Sequence, residues 1–242
     1  MTLPLNRDSR LLVFAPHPDD ESLACGILLQ RAVEAGAAIC VIYLTDGENN
    51  PWPQRYLSRR WRLNASDRQR WAKLRRREAL AALRVLGVSP ADARFLGWPD
   101  QGLARLLESD AGAATARLRY LIREWSPSDV VGPDPADCHP DHRAFGAMLK
   151  GLCADGPAAS VPPRCLSYIV HGRDERFLRD STTVPQTPSQ AETKRRAIAC
   201  HQTQLLLSRR RFLRYAARPE LLRLVAGREG DLNEMKPQLC LV

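Results

Sequence analysis

An α/β fold, a mostly parallel sheet with helices on both faces, is predicted from three features of the 242-residue sequence. Short apolar runs alternate with helical patterns at the spacing of βαβ units. Two of those runs are followed by the same tripeptide, His-Pro-Asp, where a strand hands over to a helix. The length is enough to bury roughly 70% of the unfolded surface, so a core needs no disulfide or structural metal.

Taken in order, residues 11–14 form an apolar run that reads as a buried strand, closed by Pro16 and Pro18. A helix carrying Leu23, Ile27 and Ala32 follows. Residues 38–44 are the second strand. Residues 75–86 have a helical pattern stopped at Gly87, and 94–96 form a short third strand. A helix spans 111–125, a strand 129–131, a helix 144–153 and a strand 165–170. Residues 172–188 read as loop. Ser189 to Glu192 fits a capping box opening a helix that runs through Gln204. The last forty residues read as mostly helical, with a weak tail after Gly227. No repeat and no composition break divides the chain, so one domain over 1–242 is expected, with a basic Trp/Arg-rich insertion at about 49–74.

The composition excludes several classes. Hydrophobic residues at 44% and charged residues at 26% are ordinary globular values, which rules out whole-chain disorder or coiled coil. No apolar run approaches the roughly 18 residues of a membrane span. The first ten residues lack a signal-like stretch. The seven cysteines are odd in number, scattered and without a C-x-x-C pair. Reduced thiols in a cytoplasmic protein are therefore expected. The formal charge of +9 sits in one place: residues 50–77 carry ten basic side chains against Asp67 alone, and the remainder is neutral. Trp52, Trp61 and Trp71 are interleaved with those arginines. The segment leaves the carboxyl end of the second strand. It reads either as a solvated cationic face with inward tryptophans or as a lid over an acidic or glycolipid substrate, peripheral at a membrane.

His17-Pro18-Asp19-Asp20-Glu21 follows the first strand, and His139-Pro140-Asp141-His142 follows the 129–131 strand. Each proline biases the preceding histidine toward extended backbone and suits the first position of a helix. Both motifs thus sit at carboxyl ends of strands, where open parallel sheets bind ligands. If those strands are neighbours, the motifs face each other. His17, Asp20 and His142 would supply two nitrogens and one oxygen, a catalytic zinc set that also suits ferrous iron. Asp19 is placed to take a proton from metal-bound water. His139, one helical turn before His142, is placed to protonate a leaving amine or steady an oxyanion. Acidic helix starts alone would explain one motif; they do not explain three of five histidines in two matching turns.

These motifs resemble the two signatures of the LmbE-like, or PIG-L, deacetylases. Thr45-Asp46-Gly47-Glu48, Arg75 with Glu78, Leu96-Gly97-Trp98-Pro99-Asp100, and Lys194, Ala197, His201, Thr203 and Gln204 fit weaker family segments. The resemblance implies a Rossmann-like fold and a metal-dependent hydrolase that removes acetyl from an N-acetylglucosamine-type conjugate. It implies zinc on His17, Asp20 and His142, Asp19 as base and His139 as acid or stabiliser. Arg75, Asp100 and His201 become expected substrate contacts, beside readings as a solvated charge, a turn former and a structural histidine. His171 is a further residue that could approach the crevice. Two departures stand out. Ala24-Cys25-Gly26-Ile27 replaces a Gly-x-Gly-Gly segment, and Asp137 stands where some relatives place a tyrosine for the oxyanion. The alternatives are a same-family amidase acting on another amide, and a non-catalytic anionic-lipid or nucleic-acid binder using residues 50–77. The intact ligand set disfavours a nucleic-acid partner.

Overall fold

The computed structural model describes residues 3–154 and 163–226. Its elements are β1 (Arg10–Ala15), α1 (Asp20–Glu34), β2 (Ala38–Thr45), α2 (Pro51–Ser58), α3 (Ala65–Val85), β3 (Ala93–Trp98), α4 (Leu103–Ser109) and α5 (Ala111–Trp125). They continue with β4 (Asp129–Pro133), α6 (Pro140–Ala154), β5 (Arg164–Tyr168), α7 (Glu175–Asp180), β6 (Ser181–Val184), α8 (Pro188–Ala199), α9 (Gln202–Leu213) and β7 (Glu220–Ala226). One seven-stranded sheet runs β3-β2-β1-β4-β5-β7-β6. The first five strands in this order are parallel, and β7 is antiparallel to both β5 and β6.

Side chains alternate across β1, so Leu11, Val13 and Ala15 join the core under α1, α3 and α8. Leu12 and Phe14 join the opposite core under α5 and α6. Every residue of β1 after Arg10 is buried, as expected for a central strand covered on both faces. Strand order reverses at β1: β2 and β3 lie to one side, β4 and β5 to the other. The crevice between the carboxyl ends of β1 and β4 is therefore the topological switch point. Both His-Pro-Asp motifs open onto it.

Several boundaries differ from expectation. Helix α3 begins ten residues before Arg75, capped by a reciprocal Asn64/Asp67 box. Its first half is polar almost all round, so no apolar period marks it. Helix α2 forms within the basic segment with Pro51 at its first position, and α4 is an additional short helix. The predicted loop contains α7 and β6. The capping box before α8 is Thr187/Gln190, not Ser189/Glu192. The helix expected through Gln204 breaks at His201, and α9 starts afresh at Gln202. Beyond it, residues expected to be helical form β7. Its Leu- and Arg-rich sequence has no strand signature, and pairing with β5 and β6 overrides propensity. Cys153 and Cys165 form a disulfide between the end of α6 and the start of β5, against the expectation of reduced thiols throughout. Their spacing carried no signal because only the return of the chain from α6 to β5 brings them together. Cys25, Cys40, Cys138 and Cys200 are free. Cys240 and the tail after Gly227 lie outside the described residues. No helix among the described residues is long and apolar enough to cross a membrane.

Candidate metal centre

The first motif turns directly off β1. Pro140 is the first residue of α6, as anticipated, whereas α1 begins only at Asp20, two residues after Pro18. Asp19 occupies the turn between, at φ 154° and ψ −25°. That conformation costs a non-glycine residue on the order of 1–3 kcal/mol and persists only where the surroundings fix it. Here they do. The Asp19 carbonyl accepts from Ser22 and Leu23 N–H at 3.0 and 2.9 Å. Its own N–H donates to Glu21 Oε2 at 3.0 Å, and Arg75 Nη2 donates to its Oδ2 at 3.0 Å.

Three atoms converge at the switch point. His17 Nδ1 lies 3.4 Å from Asp20 Oδ2, His142 Nε2 lies 3.1 Å from the same oxygen, and the two nitrogens are 3.3 Å apart. Donors at about 2.0–2.1 Å from a tetrahedral cation stand about 3.3 Å from one another, so this triangle has the dimensions of three corners of such a site. The remaining nitrogens face carboxylates. His17 Nε2 lies 3.2 Å from Asp100 Oδ1 and 3.3 Å from Asp141 Oδ2. His142 Nδ1 lies 3.2 Å from Asp137 Oδ2. Carboxylates behind imidazoles are the arrangement that orients metal-binding histidines. His139 also lies close enough to His17 and His142 to share one cation with them. Its Nδ1, however, accepts from Asp141 N–H at 3.3 Å, and among the described residues no ion pair joins its ring to a carboxylate. The set with Asp20 is therefore the better fit.

The electrostatics agree with the geometry. Burial disfavours charge on His142, yet Asp20 and Asp137 outweigh it and raise the imidazole to about 9. Burial likewise opposes charge on His17, and Asp100, Asp141 and Asp20 hold it well above its ordinary value. Burial opposes charge on Asp20, but His142 and His17 keep it well below the usual carboxylate range. The carboxylates thus call for two positive charges at the centre. A divalent cation supplies both and leaves the imidazoles neutral, as ligands must be. Burial pushes Asp19 up to about 6; Arg75 opposes that shift and Asp20 adds to it. Burial, with repulsion from His17, His142 and His171, pulls His139 down to about 4.

A cleft of about 430 Å³ opens over this cluster. His17, Asp19, Asp20, His139, His171, Arg75 and Asp100 all line it, joined by Trp52 from α2 and Leu207 from α9. His142 is fully buried beneath it. Arg75 is committed to the protein, since besides Asp19 it donates to Pro18 O at 2.6 Å and Gly47 O at 3.0 Å. Gly47 has φ +62°, and a Cβ there would stand 1.5 Å from Arg75 Nη1, so only glycine admits the guanidinium. Asp100 turns Oδ1 toward His17, while its Oδ2 accepts from Asn49 N–H at 2.7 Å. His201 is not at the rim. It is fully buried, off the cleft wall, with Nε2 3.1 Å from Glu21 Oε1 and 3.3 Å from Ser22 Oγ. The substrate contact expected of it gives way to a tie between α1 and the start of α9. Sequence reasoning gave no role to Asp141, Glu21 or the Asp137 carboxylate. Asp141 and Glu21 stood inside the two motifs; Asp137 lay just before the second, and only the fold shows which imidazoles its carboxylate faces.

The model of the family described as PIG-L: GlcNAc-PI de-N-acetylase matches residues 12–152. A 1D-myo-inositol 2-acetamido-2-deoxy-alpha-D-glucopyranoside deacetylase from Mycolicibacterium paratuberculosis is 37% identical over 148 residues, 55% of this chain and 47% of that protein. The chain thus spans about half the length of the curated relatives it matches. Among solved structures, the N,N'-diacetylchitobiose deacetylase of Pyrococcus horikoshii superposes with a TM-score of 0.70 at 21% identity, covering 97% of this chain and 89% of that one. GalB, the 4-carboxy-2-hydroxymuconate hydratase of Pseudomonas putida KT2440, superposes with a TM-score of 0.64 at 21% identity, covering 86% and 83%. The two share the fold and differ in named chemistry, so the fold alone does not fix the reaction.

Proposed function

The chain belongs to the PIG-L family, and from that premise we propose that it is a metal-dependent hydrolase removing acetyl from an N-acetylated amino sugar. One observation carries the reading: a zinc-sized triangle of two imidazole nitrogens and one carboxylate oxygen at the switch point, with Asp19 beside it. His17 Nδ1, Asp20 Oδ2 and His142 Nε2 would hold the metal. Zinc suits this donor set, and ferrous iron is the alternative. When bound, the metal supplies a Lewis acid for the acetamide oxygen and lowers the pKa of water.

The chain's own groups do the rest. Asp19, held by Arg75 and tuned near neutrality, accepts the proton of the attacking water at its carboxylate. It then holds that proton for the leaving amine. His139 is neutral at pH 7 and its Nδ1 is engaged as an acceptor, so its proton sits on Nε2. From there it donates a hydrogen bond to the oxygen on which negative charge develops. Asp137 behind His142, and Asp100 and Asp141 behind His17, fix which ring nitrogen meets the metal. Arg75 and Asp100 shape the wall that meets the sugar. Acetate release from N-acetylglucosamine and its inositol conjugate by zinc-loaded protein tests the reading. Amine release without acetate from another amide would move the chain to the amidase alternative. Turnover of neither class overturns it.

A second feature supports an anionic or lipid-linked substrate. Of the seven exposed large apolar side chains among the described residues, five, Trp52, Tyr56, Leu57, Trp61 and Leu207, lie on or beside α2 and on α9, and Trp52 and Leu207 reach the cleft. Arg55 lies 5.2 and 5.1 Å from the rings of Trp52 and Trp61. Stacked indoles with arginines suit an interfacial headgroup or an anionic aglycone. A lower KM for phosphatidylinositol-linked N-acetylglucosamine than for the free sugar, lost at high salt, tests this extension.

A further inference from the structure

We propose that His171 is a substrate-contacting residue that accepts a hydrogen bond from the N–H of the scissile amide, and so selects secondary amides over esters. The inference rests on the deacetylase reading and adds to it a recognition element that neither motif contains. His171 follows β5 and stands in the cleft wall, its ring centroid 5.1 Å from His139 and 4.8 Å from His142. Its Nδ1 is buried and makes no hydrogen bond within the normal limits, and the carboxylate facing that atom is Asp137, with Oδ1 at 3.4 Å. Asp137 is itself locked in place. Its Oδ2 accepts from the N–H of Val170 at 2.8 Å and of His171 at 3.0 Å, and its Oδ1 accepts from the N–H of His139 at 2.8 Å.

A carboxylate beside Nδ1 keeps the proton of a neutral imidazole on that nitrogen. The His171 side chain is partly exposed and lines the cleft, and Nε2, the ring nitrogen that does not face Asp137, is then a lone-pair acceptor. His139 has the reverse tautomer, because Asp141 N–H donates to its Nδ1 at 3.3 Å. The wall therefore presents one donor and one acceptor from adjacent rings about 5 Å apart. A secondary amide offers the complement: a carbonyl oxygen to accept and an N–H to donate. An acetate ester offers only the oxygen, and it leaves the acceptor unpaired. No bond is made or broken by His171; it orients the acetamide against the cleft edge of the two rings. Gly172, at φ +87°, follows directly, and a Cβ there would stand 2.2 Å from Cys138 Sγ. The His171 carbonyl accepts from Cys138 N–H at 3.0 Å, which ties this backbone to the residue before the second motif.

The experiment uses the zinc-loaded protein and two probes, N-acetylglucosamine and methyl 2-O-acetylglucopyranoside. Wild type and His171→Phe are compared for acetate release, and Asp19→Asn with and without His171→Phe for probe binding by calorimetry. The expected result is an about tenfold fall in the amide-over-ester preference on His171→Phe, in turnover and in binding, as for loss of one neutral hydrogen bond. Zinc content stays at that of the wild type. Long-range proton–nitrogen correlation spectra are expected to place the proton on Nδ1 of His171 and on Nε2 of His139. An unchanged preference, binding of neither probe, or the opposite tautomer at His171 overturns the proposal. Failure of the wild type to release acetate from either probe instead strikes the deacetylase reading, and the binding arm still decides on His171.

Discussion

The cluster beneath the cleft and the stretch from the end of α2 into α3 both concentrate charge, but under opposite constraints. Beneath the cleft, Asp20, Asp137, Asp141 and His142 are almost wholly buried, and most of their charged atoms lie within 3.4 Å of an oppositely charged or hydrogen-bonding partner. On the surface, Arg59, Arg62 and Arg68 are exposed, with Asp67 the one acid of their segment. Burial makes each interior group depend on its neighbours, because an unpaired charge there costs several kcal/mol. Solvation makes each surface arginine nearly independent. Chemistry is expected to reside where the dependence is strong, and recognition by long-range field where it is weak.

The sharpest break in this comparison is metal removal. Chelation should abolish acetate release and lower the melting temperature, with both restored by zinc; unaltered turnover after verified removal would end the account. Next is Asp19→Asn, which should reduce kcat by about 10²- to 10⁴-fold, the usual contribution of a general base, while zinc stays bound. Loss of zinc from this variant would mean that base and ligand have been confused. Lys194→Met probes a buried pair with no place in the cleft. Its Nζ donates to Glu220 Oε1 at 2.7 Å, and both groups are at most 3% exposed. Removing one partner should cost about 3–5 kcal/mol in denaturant unfolding. Asp137→Asn should weaken zinc by about 10- to 100-fold in chelator competition, since it loosens the orientation of His142.

His201 gives a smaller, pH-shaped effect. Burial lowers its pKa, but Glu21 and Asp19 outweigh burial and Arg75, and the net shift is upward. A raised folded value means that its stabilisation is fully present below the unfolded value of about 6.5. It is lost as pH rises through the folded value. The stability gap between wild type and His201→Gln should therefore narrow with rising pH; a gap that stays constant would show that the charge on His201 is irrelevant. At the bottom of the scale, Arg59, Arg62 and Arg68 changed together to Gln should alter unfolding free energy by no more than about 0.5 kcal/mol each. The same variant should raise KM for an anionic conjugate more than for free N-acetylglucosamine.

The parallel half of the fold was legible because β1, β2, β4 and β5 contain apolar runs, and β1 and β4 lead into the two motifs. β1 is read almost residue for residue. The antiparallel edge was not. Residues 220–226 contain Leu, Arg and Ala in a helical mixture, and β7 exists because β5 and β6 lie on either side of it. At the site, the spacing of His17, Asp20 and His142 pointed to three donors but could not orient them. Asp137 resembled only a missing tyrosine until its carboxylate was found behind two imidazoles. His201 fitted a family segment and proved to be a buried tie, since sequence similarity does not report which way a side chain turns.

The sequence by itself determined which residue types stand at the carboxyl ends of β1 and β4, because local backbone preferences of proline and apolar strand runs act over a few residues. The tertiary structure alone decided the pairing of Cys153 with Cys165, the carboxylates of Asp100 and Asp141 behind His17, and the hold of Arg75 on the strained turn at Asp19. Each depends on groups brought together from segments far apart in the chain, and burial gives those contacts their energy.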